Sequence, residues 1–294
     1  MTDLVIRPLV AGEESLFESM PDPLPQLRQV SYADGLAGGG YRPEHTWVAL
    51  HGRQVVARAA WLRPPGAVDG PWLERFDLVA EPPVGAELLG AAHAALGGPR
   101  PYYAALPAHW RRRPEVAAVV ERPMAAARLA GLVEGAERLR CSWIDTPLPA
   151  RSGRYTFRPA GDAAEINALV ARIAEPAVLT GQEIARAVGG VDLARDPLAW
   201  LTGPPPNWRV ALSAGEPVGL AGTAGDACYP LLAYLGLLDE AARGELVAEA
   251  VRFLVAGGAR EVIADVDAHR VGVVADLERT GFRQIRARIA FHPR

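Results

Sequence analysis

The chain of 294 residues contains no lysine; all 31 of its basic residues are arginine. That absence removes the amine that a P-loop or a pyridoxal Schiff base requires. Cysteine is scarce as well. Cys141 and Cys228 stand far apart in no metal-type spacing, which points to a reduced, cytoplasmic setting. The six histidines are scattered with no pair at i, i+4, so no metal site is expected. No apolar stretch approaches the ~18 residues of a membrane span, and MTDLVIRPLV lacks the charged start and long apolar run of a signal peptide. A formal charge of −3 gives no general reason to expect DNA as a partner.

What the chain does have is internal similarity. LVIRPL at 4–9 returns as YTFRPA at 155–160. HTWVALHGRQVVARAAW (45–61) returns as NWRVALSAGEPVGLAGT (207–223), and LAGLVEGAERLRCSWI (129–144) as RTGFRQIRARIAFH (279–292). The order is kept, so the sequence predicts two copies of one domain, 1–148 and 152–294, joined through the proline-containing stretch TPLPARSGR at 146–154.

Each copy reads as a short strand, helical segments and a hairpin, then strand, helix, strand, helix and strand. In the second copy the hairpin pairs WRVALSA with PVGLAGTA across Gly215-Glu216. LLAYLGLL is a continuous apolar run suited to a central strand. The next helix places Leu246, Val247, Ala250, Val251, Leu254 and Val255 on one face and ends at Gly257-Gly258. EVIADVD reads as a buried strand, and Gly281 as the C-cap of a last helix. The final strand alternates Ile285, Ala287, Ile289 and Phe291 inward. The expected fold class is α/β (α+β): a mixed, mostly antiparallel sheet flanked by helices, twice over.

This order of elements resembles the GNAT acyltransferase superfamily as a tandem pair. The resemblance rests on the RP dipeptide closing the first strand, the WVAL and GEPVGL hairpin, the strand–turn–helix at 231–255 and the terminal unit LERTGFRQI. It implies an N-acyltransferase moving an acyl group from a thioester to a small-molecule amine, inside a splay between the fourth and fifth strands. Acyl-CoA or another acyl thioester would be the co-substrate, lying against Leu237, Leu238, Ala242, Arg243, Gly244 and Arg270.

The motif itself is eroded. Taking Gly244 as the first glycine of the family's pyrophosphate turn, Ala241 stands where a basic residue is usual and Leu246 where a second glycine is usual. The places of the family's asparagine and tyrosine hold Arg270 and Leu277. In the first copy the turn FDLVAEPPVGAELLG carries prolines, and Ala127 takes the tyrosine's place. Asp239 is well set to cap the helix itself, and acidic groups in its first turn compete with a bound phosphate. Two readings therefore stand. One is an acyltransferase with its second copy active and its first shaping the acceptor site. Its donor would be acyl-CoA, an acyl carrier protein or an aminoacyl-tRNA. The other is a repurposed GNAT-like binding protein that has lost acetyl-CoA binding.

For chemistry in the second copy, Tyr234 on the fourth strand, Asp265 and Asp267 on the fifth, and His269 after it are the candidates. Asp–x–Asp on a strand turns both carboxylates to one face, and paired like charges raise one pKa as a general base requires. The alternative is that Asp267 caps the last helix and Asp265 pairs with an arginine. Cys228 reads as a structural thiol more readily than as a nucleophile. HWRRRP at 109–114 gives the first copy a basic run, and Trp47, Trp61, Trp72 and Trp110 either fill its core or line an acceptor pocket.

Overall fold

The computed structural model describes residues 4–28, 30–204, 207–225 and 229–294, so Cys228 lies outside the described residues. The chain forms two compact units: residues 1–137 with 287–294, and residues 138–286. The first unit runs β1 (Leu4–Pro8), α1 (Glu14–Glu18), α2 (Tyr32–Ala37), β2 (Thr46–His51), β3 (Gln54–Leu62), β4 (Trp72–Leu78), α3 (Pro82–Ala95), β5 (Tyr102–Pro107) and α4 (Pro114–Leu129), then enters β6 (Val133–Ile144). The second continues with β7 (Thr156–Pro159), α5 (Ala163–Val170), β8 (Val178–Leu179), α6 (Gln182–Gly189), β9 (Trp208–Ser213), β10 (Glu216–Gly225), β11 (Pro230–Leu237), α7 (Arg243–Ala256), β12 (Glu261–Asp267), α8 (Val271–Thr280) and β13 (Arg283–His292).

The boundary expected at 146–154 is not where the chain divides. Residues 287–292 of β13 lie beside β5 in the first unit, while residues 138–144 of β6 pair antiparallel with β12 in the second. Both strands alternate apolar and polar residues in the same way, so nothing local says which unit each will join.

Within each unit the repeat extends to side chains. The arginine of the RP dipeptide grips a glutamate at the start of the next helix in both: Arg7 Nη1 to the N-cap residue Glu13 at 2.6 Å, and Arg158 Nη1 to Glu165 in the first turn at 3.0 Å. Asp162 accepts from the Glu165 amide at 2.8 Å while Glu165 accepts from the Gly161 amide at 2.7 Å, a reciprocal cap that starts α5. After the hairpin, two consecutive amides converge on one carbonyl in each copy: Val79 and Ala80 donate to Val56 O, and Leu238 and Asp239 to Val218 O.

In the second unit Leu246, Val247, Ala250 and Val251 of α7 are fully buried, as their spacing predicts, but Val255 faces solvent in the last turn. Gly281 ends α8 with φ of 103°, a conformation that favours glycine. The hairpin turn is Ala214-Gly215, one residue earlier than expected, both with positive φ. Ile285, expected inward, is exposed, whereas Ala287, Ile289 and Phe291 are buried in the first unit. The crossover falls between them. In the first unit Gly85 lets α3 approach α4; a Cβ there would stand 2.8 Å from that of Ala126.

His93 on α3 is 5% exposed and meets the edge of Trp61 at a centroid distance of 5.8 Å. Burial, reinforced by Arg100, pulls its imidazole down from 6.5 to about 4. The unfolded chain takes up this proton below pH 6.5 and the folded chain only near pH 4, so stability falls as pH drops through that window. Melting temperatures of wild type and His93→Leu across these pH values should therefore converge in slope above the window and diverge within it, with the variant the flatter.

Candidate functional site

The turn expected to cradle a diphosphate is already occupied by the protein's own groups. The Asp239 carboxylate accepts from the Ala241 amide at 3.0 Å, and the Ala242 amide donates to the Asp239 carbonyl at 3.1 Å. The Leu238 and Asp239 amides are spent on Val218, and Leu237 is paired in the sheet with Gly219. Ala242 is buried. Arg243 reaches away from the turn to Asp276 and also binds Glu240, while Gly244 lies against the Asp276 carboxylate. Arg270 pairs with Glu175. Asp239, Glu240 and Glu245 leave the helix start acidic, and Glu245 is itself held by the Ser152 amide (3.2 Å) and hydroxyl. A diphosphate would meet partnered amides and three carboxylates, so these residues do not fit the phosphate end of coenzyme A.

The first unit fails the same test differently. Pro82 and Pro83 open α3 and carry no N–H to offer, and the Val84 amide is bonded to Glu81 O at 3.0 Å. Leu277 and Ala127 are both fully buried among apolar neighbours, so neither helix turns a proton donor toward a cleft.

The strands that should part do part. β11 and β12 run parallel with one register pair, Leu231 to Ile263, and β4 and β5 do the same at Leu73 and Tyr102. In the second unit the gap holds the segment 177–180. β8 pairs antiparallel with β11 at Tyr234 and Leu235, the Ala177 amide donates to Leu235 O at 2.6 Å, and the Thr180 amide to Ala233 O at 2.9 Å. The register shift between Gly222 and Thr223 leaves Ala233 as an extra residue on β11. Such a bulge re-aims successive carbonyls. Those of Leu232 and Ala233 both end on Thr180, the first on its hydroxyl. The same hydroxyl accepts from the Asp265 amide of β12 at 2.9 Å. Thr180 thereby bridges the two strands where they diverge.

The four residues put forward for chemistry are not brought together. Tyr234 is fully buried against Trp208, at a ring distance of 5.6 Å, with no partner for its hydroxyl among the described residues; burial pushes its pKa up. Asp265 is held by Arg140 through two bonds of 2.7 Å each, so it pairs with an arginine, not with Asp267. Asp267 stands 3.3 Å from Arg138 Nε, and its backbone carbonyl accepts from the Arg270 amide. His269 is exposed in the turn before α8. Burial, then the charge of Asp265, pushes the Cys141 thiol up to about 12, which leaves it inert.

What the second unit does offer is a polar cavity of about 710 Å3 beside this filled gap. Arg138, Arg186, Arg195, Glu175, Asp192 and Asp267 supply its charges, with Gln182 among them and Ile173 and Leu179 as apolar wall. Arg138 is fixed by Glu183 at 2.9 Å and by the Leu179 carbonyl at 2.7 Å. In the first unit the corresponding cleft is narrow, about 40 Å3, room only for water-sized occupants. Arg28 lies in it, bonded to Asp77 at 2.6 Å and Asp22 at 2.9 Å. Trp47, Trp61, Trp72 and Trp110 are buried and do not form a shelf; Arg111 of the basic run lies 4.2 Å over the Trp110 ring and pairs with Glu137.

Thr180, Arg138 and Arg28 were missed by sequence reasoning. Each acts on strands far from it in the chain, and a lone Thr before a Gly carries no local signal. Among the described residues, no cluster of three or more His, Cys, Asp or Glu could hold a metal, and no helix is long and apolar enough to cross a membrane.

No protein-family model matches the chain, and no curated protein matches it by sequence. Solved structures do. A GCN5-related N-acetyltransferase from Sphaerobacter thermophilus superposes with a TM-score of 0.55 at 13% identity, covering 98% of this chain and 94% of the other. A GCN5-related glucosamine N-acetyltransferase region in a fungal multi-domain GH3 beta-N-acetylglucosaminidase gives a TM-score of 0.55 at 12% identity, over 99% of this chain and 38% of that one. The chain has the GNAT fold.

Proposed function

We propose that this chain is a GNAT-fold protein repurposed to bind a polar small molecule in the cavity of its second unit, without coenzyme A as donor. The observation that carries this reading is the segment 177–180, which takes the backbone hydrogen bonds of β11 inside the gap where the fold would admit an acyl thioester. Displacing it breaks two main-chain bonds and both bonds of the Thr180 hydroxyl, each costing roughly 0.5–1.5 kcal/mol net. The self-capped turn at Asp239 gives nothing back for a diphosphate. The cavity's paired arginines and carboxylates suit a ligand with both charged and hydrogen-bonding groups.

A second reading is an N-acyltransferase acting on an amine, fed by an acyl carrier protein or an aminoacyl-tRNA. It is favoured by the strand divergence kept in both units and by the fold shared with the two acetyltransferases above. Calorimetry separates the two. Acetyl-CoA should bind more weakly than about 100 μM, a free energy short of about −5.5 kcal/mol. Tighter binding would sink the first reading. Acyl transfer from a loaded carrier or tRNA, with no acetyl-CoA binding, would establish the second.

A further inference from the structure

We propose that Arg151, Arg209 and Arg252 form a binding site for a phosphate-class oxyanion over the buried carboxylate of Glu249. Three guanidiniums converge on that one acid. Arg151 Nη2 donates to Oε2, Arg209 Nη2 donates to Oε1 at 3.1 Å, and Arg252 Nη1 lies 3.8 Å from Oε2. The local sum is three positive charges against one negative. The next acid along α7, Glu245, is taken by the Ser152 amide and hydroxyl. Arg154, near by in sequence, faces Asp239 at 3.9 Å.

The excess charge comes with unused donors. Arg209 Nε and Arg252 Nη1 are enclosed with no hydrogen-bond partner among the described residues, a state that costs free energy, while the half-exposed Arg151 and the partly exposed Arg252 present the excess charge to solvent. The guanidiniums are held in place. Arg209 lies 5.6 Å over Phe253, Arg151 lies 6.0 Å over Phe157, and Arg252 Nη2 is anchored on the Pro149 carbonyl. Fixed forks with a double positive excess match a tetrahedral dianion, which offers several strong acceptor oxygens, better than a single carboxylate. None of these residues belongs to the polar cavity, so the site stands apart from the proposal above.

The test titrates the full chain with inorganic phosphate and with phenyl phosphate at constant ionic strength, chloride serving as the control anion. Saturable heat is expected, and Arg151→Gln and Arg252→Gln should each weaken the affinity about tenfold or more. Tighter phenyl phosphate would identify a monoester as the ligand; equal affinities would identify the free ion. No saturable heat, or unchanged affinity in the variants, overturns the site. Arg151 is half exposed, so Arg151→Gln decides alone if Arg252→Gln does not fold.

Discussion

Removing residues 287–294 should leave the first unit without a cooperative unfolding transition, and the fragment 1–148 should fare no better. Those eight residues complete that unit. Phe291 is fully buried, stacked on Tyr102 at 5.5 Å with Arg128 5.8 Å above its ring, and Ala287 and Ile289 are buried beside it. Truncating one buried phenylalanine costs about 3–5 kcal/mol, against a total stability for a domain of roughly 5–15 kcal/mol. The deletion also removes the strand beside β5 and leaves that edge unpaired. Circular dichroism melts of the truncated chain would show it, and a peptide spanning 283–294 supplied in trans should restore part of the transition. A fragment 1–148 that melts sharply by itself would mean that the unit does not need the C-terminal strand.

Asp77→Ala is expected to cost about 3–5 kcal/mol in urea denaturation. The Asp77 carboxylate accepts from Arg58 Nε at 2.8 Å and from Arg28 Nη2 at 2.6 Å, and the side chains of Arg58 and Asp77 are each only 4% exposed. Arg58 Nη1 also donates to the Phe17 and Met20 carbonyls, at 2.8 and 2.7 Å, which pairs the Nη1 hydrogens but leaves the charge to Asp77. Without Asp77 that charge is buried with no counter-ion. Asp77→Asn, which keeps an acceptor oxygen, should fall between. Replacing the pair together, Arg58→Met with Asp77→Leu, should recover much of the loss, because the penalty lies in the stranded charge. A cost below about 1 kcal/mol for Asp77→Ala would mean that solvent reaches Arg58.

Much of the fold was legible in the chain. The repeated RP and hairpin segments and the matched ends 129–144 and 279–292 announced two copies, and the spacing along α7 named the buried face from Leu246 to Val251. Gly281 was correctly read as a cap because a left-handed residue after an apolar helix leaves few other options. The self-capping of the 239–244 turn was also foreseeable, since Asp239 needs only its own neighbours to reach the Ala241 amide. The candidate catalytic set was less legible. Asp265 and Asp267 share a strand face, yet Arg140 and Arg138, more than a hundred residues earlier, claim them separately. Tyr234 looked reactive only by its place on a strand; its surroundings are Trp208 and apolar side chains.

The sequence by itself determined the elements, their order and the chemistry of the turns, because those follow from side chains interacting within a few residues of one another. Tertiary structure alone decided which unit receives Ala287–His292, that Thr180 bridges the parted strands, and which arginine meets which acid. Those outcomes depend on strand ends and charged groups with several comparable local partners, and only the packed chain selects among them.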